Sequence, residues 1–580
     1  MKRKSTTRKA PPAQFPGRRR LLLALFVVAA GLLVWRAVHL QVLSREFLQA
    51  QGKARYMRLV EIPAHRGMIT DRRGEPLAIS TPVASVWADP AEAVHHRRDL
   101  VRLARVLELD PDRLQQRLAA RQGREFVYLR RHVSPAVAAR VRALGIPGIS
   151  LAREYRRYYP AAEVVAQVLG FTDIDDHGQE GLELAYESWL RGAPGRRRVI
   201  KDRLSRVVEQ GEIVEPMRPG RDLVLSIDRR LQYLAYRELS AAMERHGARA
   251  ASLVVLDATT GEVLAMASRP SFNPNDRSQR RPGAARNRAV TDVFEPGSTL
   301  KPFTITAALL SGRYRVDSRI DTHPGRLRVG HDLVRDLRDY GVIDLTGVIT
   351  HSSNVGASKI ALSLEPRELW SVCRKVGLGQ LPGTGFPGEV GGLLGDFHRW
   401  RPIEQATLAY GYGVSVSLLQ LAQAYAVLAA DGIRRPVSFL RVDEPPAGQR
   451  VLPAGIVRQV RAMLETVVAP GGTGRRAAVP GYRVAGKTGT VHKPVAGGYA
   501  ADRYVSLFAG MAPARNPRLV VAVMVDEPTR NGHFGGQVAA PVFSRVMAAG
   551  LRLLDVPPGD GEAPRALMAA DGRPAAGGRT

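Results

Sequence analysis

At 580 residues the chain is long for one ordinary core, which implies two or more domains, and 45% hydrophobic with 24% charged residues is a globular composition. The formal net charge of +31 suits an anionic neighbour, but no zinc-finger, RRM-like or basic-zipper pattern accompanies it, which argues against nucleic acid. The basic residues are nearly all arginine beside abundant Ala, Gly and Pro, so a bias in genome composition accounts for the charge as well as a partner does. Cys373 is the one cysteine, so no intramolecular disulfide can form; within "ELWSVCRKVGL" it reads as a small buried hydrophobe.

Residues 1–20 read as a basic tail, with Lys2, Arg3, Lys4, Arg8, Lys9, Arg18, Arg19 and Arg20 and no acidic residue. "LLLALFVVAAGLLVW" (Leu21–Trp35) follows, slightly short of the span of about 20 residues that a bilayer needs. It reaches that length at Leu40 if Arg36 snorkels and Trp35 sits at the interface. The basic flank puts the N-terminus in the cytoplasm and the rest outside. No small-x-small site follows the apolar run directly, which favours an uncleaved anchor over a cleaved signal peptide. No other stretch is long and apolar enough to span.

Residues 41–53 read as a helix leaving the membrane, and 41–222 as a mixed α/β domain. Within it, "RGMITDRRGEPLAIS" (Arg66–Ser80) predicts two strands around a turn at Arg73-Gly74. "HHRRDLVRLARVLELDPDRLQQRLAA" predicts two helices broken near Asp110-Pro111, and "GLELAYESWLRG" (Gly181–Gly192) a short helix stopped by glycine. Arg66, Gly67, Asp71 and Gly74 are expected to be structural, the glycines for backbone geometry and Arg66 with Asp71 as a buried pair.

A second domain, 223–556, opens with a strand and a long amphipathic helix from about Arg229 to His246. "ASLVVLDATTGEVLAMAS" gives two strands around a Thr-Gly turn; "YVSLFAGMAP" and "RLVVAVMVDEP" give two more near the end. Helices lie between, including Ser415–Gly432. Strands at both ends of a region with helices between predict an α+β fold, an antiparallel sheet closed by the two termini of the domain. The tail 557–580 is Pro/Gly/Ala-rich and expected to be disordered, and no internal repeat appears.

"FEPGSTLKPFT" carries Ser298 and Lys301 in an S-x-x-K. On a helix i and i+3 face each other, so the amine can reach the hydroxyl. A serine needs such a base to attack a carbonyl, and a lysine serves only where burial or nearby positive charge keeps it neutral. The same helix start supplies backbone N–H groups for an oxyanion. Alone the motif is weak, since a chain of this length shows on the order of one or two by chance and serine is a good N-cap. Two further motifs follow: Ser352-Ser353-Asn354 in "HSSNVG", and Lys487-Thr488-Gly489-Thr490 in "VAGKTGTVHK". Separately they are a helix cap or turn, and an ordinary strand-edge turn with glycine. Together, in this order and bracketed by strand pairs, they form the signature of penicillin-binding proteins and class A β-lactamases.

On these motifs the chain resembles a class B penicillin-binding protein over nearly its whole length. "RNRAVTDVFEPGSTLKPFT", "GYGVSVSLLQLAQAYAVLAADG" and "VAGKTGT" resemble the family's transpeptidase domain; "RGMITDRRGEPLA" and "GLELAYESWLRG" resemble its non-catalytic, dimerisation-like pedestal. "HLQV" after the anchor, the "IPAHRGMITDRRGEPLAIST" block and the lack of appended C-terminal repeat modules resemble the division-specific FtsI type, with the elongation-specific type as runner-up. The resemblance implies a D,D-transpeptidase that cross-links peptidoglycan at the septum. Ser298 would attack the penultimate carbonyl of a stem peptide ending in D-Ala-D-Ala, with Lys301 as base. Ser352 would relay a proton to the leaving amine, beside Lys487; Asn354 would hold the donor backbone. Thr488, Gly489 and Thr490 would bind the donor, the two threonines its terminal carboxylate, and the amides of Ser298 and Thr490 would form the oxyanion hole. Ser353 receives no role. β-Lactams would acylate Ser298. No cofactor or metal is implied. The implied partners are an FtsW-type glycosyltransferase and other division proteins, at an inner membrane with the catalytic domain in the periplasm. A carboxypeptidase or β-lactamase lacks such a long pedestal, a β-lactam sensor carries several spans, and an inactive scaffold would have lost Ser298, Lys301 or Lys487.

Overall fold

The computed structural model describes residues 16–47, 57–201, 207–280 and 283–559. Most of the tail expected at 1–20, part of the helix expected at 41–53 and nearly all of the tail expected at 557–580 lie outside these residues. Helix α1 (Pro16–Val38) continues through a wider turn at His39–Leu43, so that Pro16–Leu43 is one apolar stretch of 28 residues. At 1.5 Å per residue that is about 42 Å, more than a hydrocarbon core of about 30 Å requires. Its leucines and valines are exposed all round, as for a helix meant for lipid. It is the one candidate span among the described residues, and the anchor expected at 21–40 lies inside it.

The chain forms two compact units. The first comprises the described residues up to Ala64 with Ala84–Arg153 and Ala193–Arg218; the second comprises His65–Val83, Glu154–Gly192 and everything described from Pro219 on. In chain order the main elements before Pro219 are β1 (Met57–Ile62), β2 (Ile69–Thr70), β3 (Pro76–Ala88), α2 (Arg97–Leu107), α3 (Pro111–Ala119), β4 (Val127–Val133), α4 (Pro135–Leu144), β5 (Ile149–Tyr158), α5 (Gly181–Ala185), α6 (Glu187–Leu190), β6 (Gly195–Lys201) and β7 (Val207–Glu215).

In the first unit β6 pairs antiparallel with both β1 and β7. Leu100, Leu103 and Leu107 of α2 pack with Leu114 and Leu118 of α3 and Leu129 of β4, an i, i+3, i+7 stripe meeting a strand face. Asp110 ends the break between the helices: its side chain accepts from Arg113 N at 2.8 Å, and Pro111 takes the first helical position, where no N–H is needed.

In the second unit the two strands expected in Arg66–Ser80 are β2 and the start of β3, and the turn between them carries Gly74 at φ +86°. Gly67 is forced by space, since a Cβ there would lie 2.0 Å from Arg221 O. Arg66 and Asp71 are both buried, but they do not pair with each other as expected. Asp71 accepts from the amides of Arg73 (2.8 Å) and Glu75 (2.9 Å) and fixes the turn. Arg66 bonds Glu183 Oε2 at 2.8 Å, Glu187 Oε2 at 2.6 Å and the Glu183 carbonyl at 3.0 Å. Arg157 takes the other Glu183 oxygen at 2.7 Å. This also corrects the helix expected over Gly181–Gly192, which is two pieces, α5 and α6. The Glu183 carbonyl that Glu187 N would claim in a continuous helix is taken by Arg66 instead. Arg66→Met leaves a fully buried Glu183 with one guanidinium, and is expected to cost about 3–5 kcal/mol in denaturant unfolding of the full chain.

From Pro219 the elements that matter are β8 (Leu223–Val224), α7 (Arg229–His246), β9 (Ala250–Asp257), β10 (Val263–Arg269), α8 (Lys301–Leu310), the hairpin β11 (Arg326–Val329) and β12 (Asp332–Arg335), α9 (Asn354–Leu362), α10 (Leu418–Ala429), α11 (Ala454–Thr466), β13 (Ala485–Val495), β14 (Gly498–Ala512), β15 (Leu519–Asp526) and α12 (Gly535–Leu553). The bounds expected for α7 hold because Asp228 caps the amides of Arg230 and Leu231 and Gly247 ends the helix at φ +56°. The sheet has the order β10-β9-β15-β14-β13, antiparallel throughout, so strands from the two ends of the domain do meet, β9 against β15, while the short β8 pairs with β2 instead. Alternation assigns its two faces. Leu253, Val255, Val521 and Val523 face Leu239 of α7 and Phe543 of α12; Val254, Leu256, Val520 and Ala522 face Leu421 and Tyr425 of α10 and Phe303 of α8. Helices on both faces leave β13 as an edge beside the start of α8.

Candidate active site

Ser298 lies in a tight turn, Gly297–Leu300, that runs straight into α8, so it is not the N-cap that the sequence also allowed. Gly297 makes the turn possible. It sits at φ +52°, its N–H donates to Gly411 O at 3.1 Å, and a Cβ would lie 2.4 Å from Val491 Cγ2. From Pro296 to Lys301 every residue is buried except Ser298, which is half-buried and so reachable. Behind it Tyr425 Oη donates to Thr299 O at 2.8 Å and braces the turn from α10.

The first turn of α8 carries Lys301 inward, fully buried. Its Nζ is 2.8 Å from Ser298 Oγ, 2.8 Å from Ser352 O, 3.1 Å from Ser352 Oγ and 2.7 Å from Asn354 Oδ1. Asn354 Nδ2 donates to Arg335 O at 3.1 Å, which orients its oxygen toward the amine. Two of the four neighbours, the Ser352 carbonyl and Asn354 Oδ1, can only accept. A neutral amine gives its two N–H bonds to them and turns its lone pair to a hydroxyl proton. The environment favours that form. Burial pushes Lys301 well below the usual lysine range, and the Lys487 charge acts the same way while Asp336 opposes them.

Ser352 sits before α9 at φ +60°, a left-handed conformation that is costly for a non-glycine residue. That placement puts its hydroxyl between two amines, 3.1 Å from Lys301 Nζ and 3.0 Å from Lys487 Nζ. Lys487 is fully buried on the edge strand β13, and burial brings it down to about 7. Ser353 has the plain role the sequence also suggested: its Oγ caps α9, accepting from Gly356 N at 2.8 Å.

The Lys-Thr-Gly-Thr segment is not a turn but the middle of β13, paired with β14 from Lys487↔Ala509 to Thr490↔Ser506. Gly489 lets the strand close on the Ser298 turn, because a Cβ there would lie 3.1 Å from both Pro296 O and Thr299 Cγ2. Thr488 Oγ1 is 2.9 Å from Thr473 Oγ1. Thr490 Oγ1 accepts from Gly535 N at 3.0 Å, which leaves its own proton free to donate. The structure thus joins Ser298, Lys301, Ser352, Asn354 and Lys487 in one hydrogen-bonded chain, with Thr488, Gly489 and Thr490 beside it on the edge strand. The sequence reading missed Asp336, which bonds Ser353 and the start of α9, Thr473, and Tyr410, whose ring centre is 5.9 Å from Lys301 Nζ. None of the three stands in a recognisable motif.

A serine and a buried lysine at a helix start, a second serine between two lysines, and a Lys-Thr-Gly edge strand define the serine acyl-enzyme site shared by penicillin-binding proteins and class A β-lactamases. Residues 251–548 match the penicillin binding protein transpeptidase domain, and 61–225 match the penicillin-binding protein dimerisation domain. The chain is 44% identical over 538 residues to the probable peptidoglycan D,D-transpeptidase PbpC of Pseudomonas aeruginosa, covering 93% of this chain and 95% of that one. It is 43% identical over 544 residues to the peptidoglycan D,D-transpeptidase FtsI of Escherichia coli, covering 93% and 92%. Among solved structures, the apo transpeptidase domain of Burkholderia pseudomallei penicillin-binding protein 3 is 48% identical, covers 58% of this chain and 97% of that one, and superposes with a TM-score of 0.54. The chain belongs to the penicillin-binding protein transpeptidase family, among the FtsI- and PenA-type D,D-transpeptidases of class B, and is a single-pass membrane protein.

Proposed function

We propose that this transpeptidase cross-links peptidoglycan stem peptides at the division septum through an acyl-enzyme on Ser298. The contact between the buried Lys301 amine and Ser298 Oγ, 2.8 Å, carries the reading. A neutral Lys301 takes the hydroxyl proton as Ser298 Oγ attacks the penultimate D-Ala carbonyl of the donor. The amides of Ser298 and Thr490 receive the oxyanion. Ser352, between Lys301 and Lys487, passes a proton to the departing D-Ala nitrogen as the peptide bond breaks. Asn354 holds the donor's amide backbone, and Thr488 and Thr490 its terminal carboxylate. An amine of a neighbouring stem then attacks the ester, restoring Ser298 and completing the cross-link. A β-lactam enters by the same first step and leaves no departing group.

The likeness to FtsI-type enzymes over nine-tenths of the chain supports the septal assignment and a place in the inner membrane. The basic residues before α1 support a cytoplasmic N-terminus with the catalytic domain, 223–556, in the periplasm. Residues 41–222 serve as the pedestal on which an FtsW-type glycosyltransferase and other division proteins assemble. The test is intact-mass spectrometry of the full-length protein in detergent after exposure to a fluorescent penicillin. A long-lived adduct on Ser298, absent in Ser298→Ala, is the expected result. Rapid penicillin turnover would make the enzyme a hydrolase, and no adduct on a folded chain would make it a scaffold.

A further inference from the structure

We infer that Asp336 is a positioning residue of the transpeptidase site, its carboxylate clamping the start of α9 so that Ser352 and Asn354 stay against Lys301. The inference rests on reading Ser298 as nucleophile and Lys301 as its base. Asp336 follows β12, and its own N–H is tied to Gly325 O at 3.0 Å, so the carboxylate is held from behind. Oδ1 accepts from Asn354 N at 2.5 Å and Val355 N at 3.0 Å; Oδ2 accepts from Ser353 Oγ at 2.5 Å. With Ser353 Oγ taking Gly356 N, the first three free N–H groups of α9 are satisfied, and a negative charge sits at the positive end of a helix. The preceding residue, Arg335, accepts from Asn354 Nδ2. The end of β12 therefore fixes Asn354 through its backbone and its side chain at once.

The clamp explains how Ser352 keeps its left-handed backbone. A conformation costing about 1–3 kcal/mol persists only where the surroundings over-determine it. Here Ser353 and Asn354 are bonded to Asp336 on one side, and the Ser352 carbonyl is bonded to Lys301 Nζ on the other. The same carboxylate is the one anion facing Lys301 among the described groups; the others are the Lys487 ammonium on β13 and the phenol of Tyr410. Asp336 thus favours the protonated amine, against the larger effects of burial and Lys487, and limits how far the base's proton affinity falls.

The rate of Ser298 acylation by a fluorescent penicillin, followed against pH on the full-length protein in detergent, tests both parts. Asp336→Asn removes the charge and weakens the clamp. It is expected to lower the plateau rate about tenfold or more and to move the ascending limb to lower pH, because Lys301 loses its one opposing anion. Ser353→Ala removes one clamp bond but keeps the charge, so it should lower the plateau and leave the limb where it is. An unchanged plateau in Asp336→Asn, an unmoved limb, or the same displacement in Ser353→Ala overturns the inference. Should Asp336→Asn fail to fold, Asp336→Glu replaces it; a reduced plateau with the wild-type limb supports the inference, and a displaced limb overturns it. A wild-type protein with no Ser298 adduct would instead refute the nucleophile assignment.

Discussion

Replacing Lys301 by arginine is expected to abolish acylation of Ser298 at any accessible pH, with a loss of about 10²–10⁴-fold, the usual worth of a positioned general base. The substitution keeps the positive charge and the reach, so a lysine that acted only as a fixed cation would tolerate it. Guanidinium does not give up its proton in proteins. It would offer donors to Ser352 O and Asn354 Oδ1, as Lys301 does, but no lone pair to the Ser298 hydroxyl. The measurement is the second-order rate of adduct formation by intact mass, with thermal unfolding alongside to confirm a folded chain. A rate within threefold of wild type would remove Lys301 from the base role and leave the proton to Ser352 or to solvent.

Wild-type acylation, followed against pH by intact mass, is expected to depend on both buried amines. Lys301 is depressed well below the usual lysine range, so the active, neutral amine is gained as pH rises through its lowered value. Lys487 gives up its proton at about 7, which takes away the charge beside Ser352 as pH rises through that value. The two amines share Ser352 Oγ, so they titrate as a pair, and the proposed mechanism calls for Lys301 neutral with Lys487 charged. Acylation is expected to rise as Lys301 loses its proton and to fall as Lys487 loses its own.

How much of this the sequence showed depends on the range of the interactions. Local chemistry was legible: Asp228 and Gly247 bracket α7, Asp110-Pro111 separates α2 from α3, and continuous apolar runs mark β9 and β15. Cys373 is buried as expected, its thiol pushed up to about 12 by burial. Ser298 and Lys301 were legible because a helix turn brings i and i+3 together, and the other two motifs because their spacing matches a known signature. What stayed hidden was long-range pairing. Arg66 was assigned to Asp71, five residues on, when its partners lie more than a hundred residues away at Glu183 and Glu187. The break between α5 and α6 coincides with that same guanidinium's bond to the Glu183 carbonyl. Asp336 precedes Ser353 by 17 residues, across a hairpin end, and a lone aspartate carries no signal that it will cap a helix it does not belong to.

Lys487→Met is expected to slow acylation and stabilise the protein at the same time. Ser352 Oγ loses one of its two amine neighbours, and with it the cation beside the leaving nitrogen; a loss of about 10²-fold is typical of removing one such donor. The ascending limb should move to higher pH, because the Lys487 charge no longer disfavours protonated Lys301. This is opposite in direction to Asp336→Asn, and the pair of variants separates the two charges acting on one amine. Stability follows from the same burial. An unfolded Lys487 titrates near 10.5 and the folded one at about 7, so between those values the unfolded chain binds more protons and stability rises with pH. Methionine fills the same space without that cost, so the variant's thermal midpoint at pH 7 should exceed that of wild type, and its dependence on pH above 7 should flatten. A lower midpoint with an unmoved limb would mean that Lys487 works as a strut for Ser352 and Thr488 rather than as a charge. A slower but more stable variant would mean that the site keeps a buried ammonium at the expense of the fold, as expected where chemistry rather than packing selects the residue.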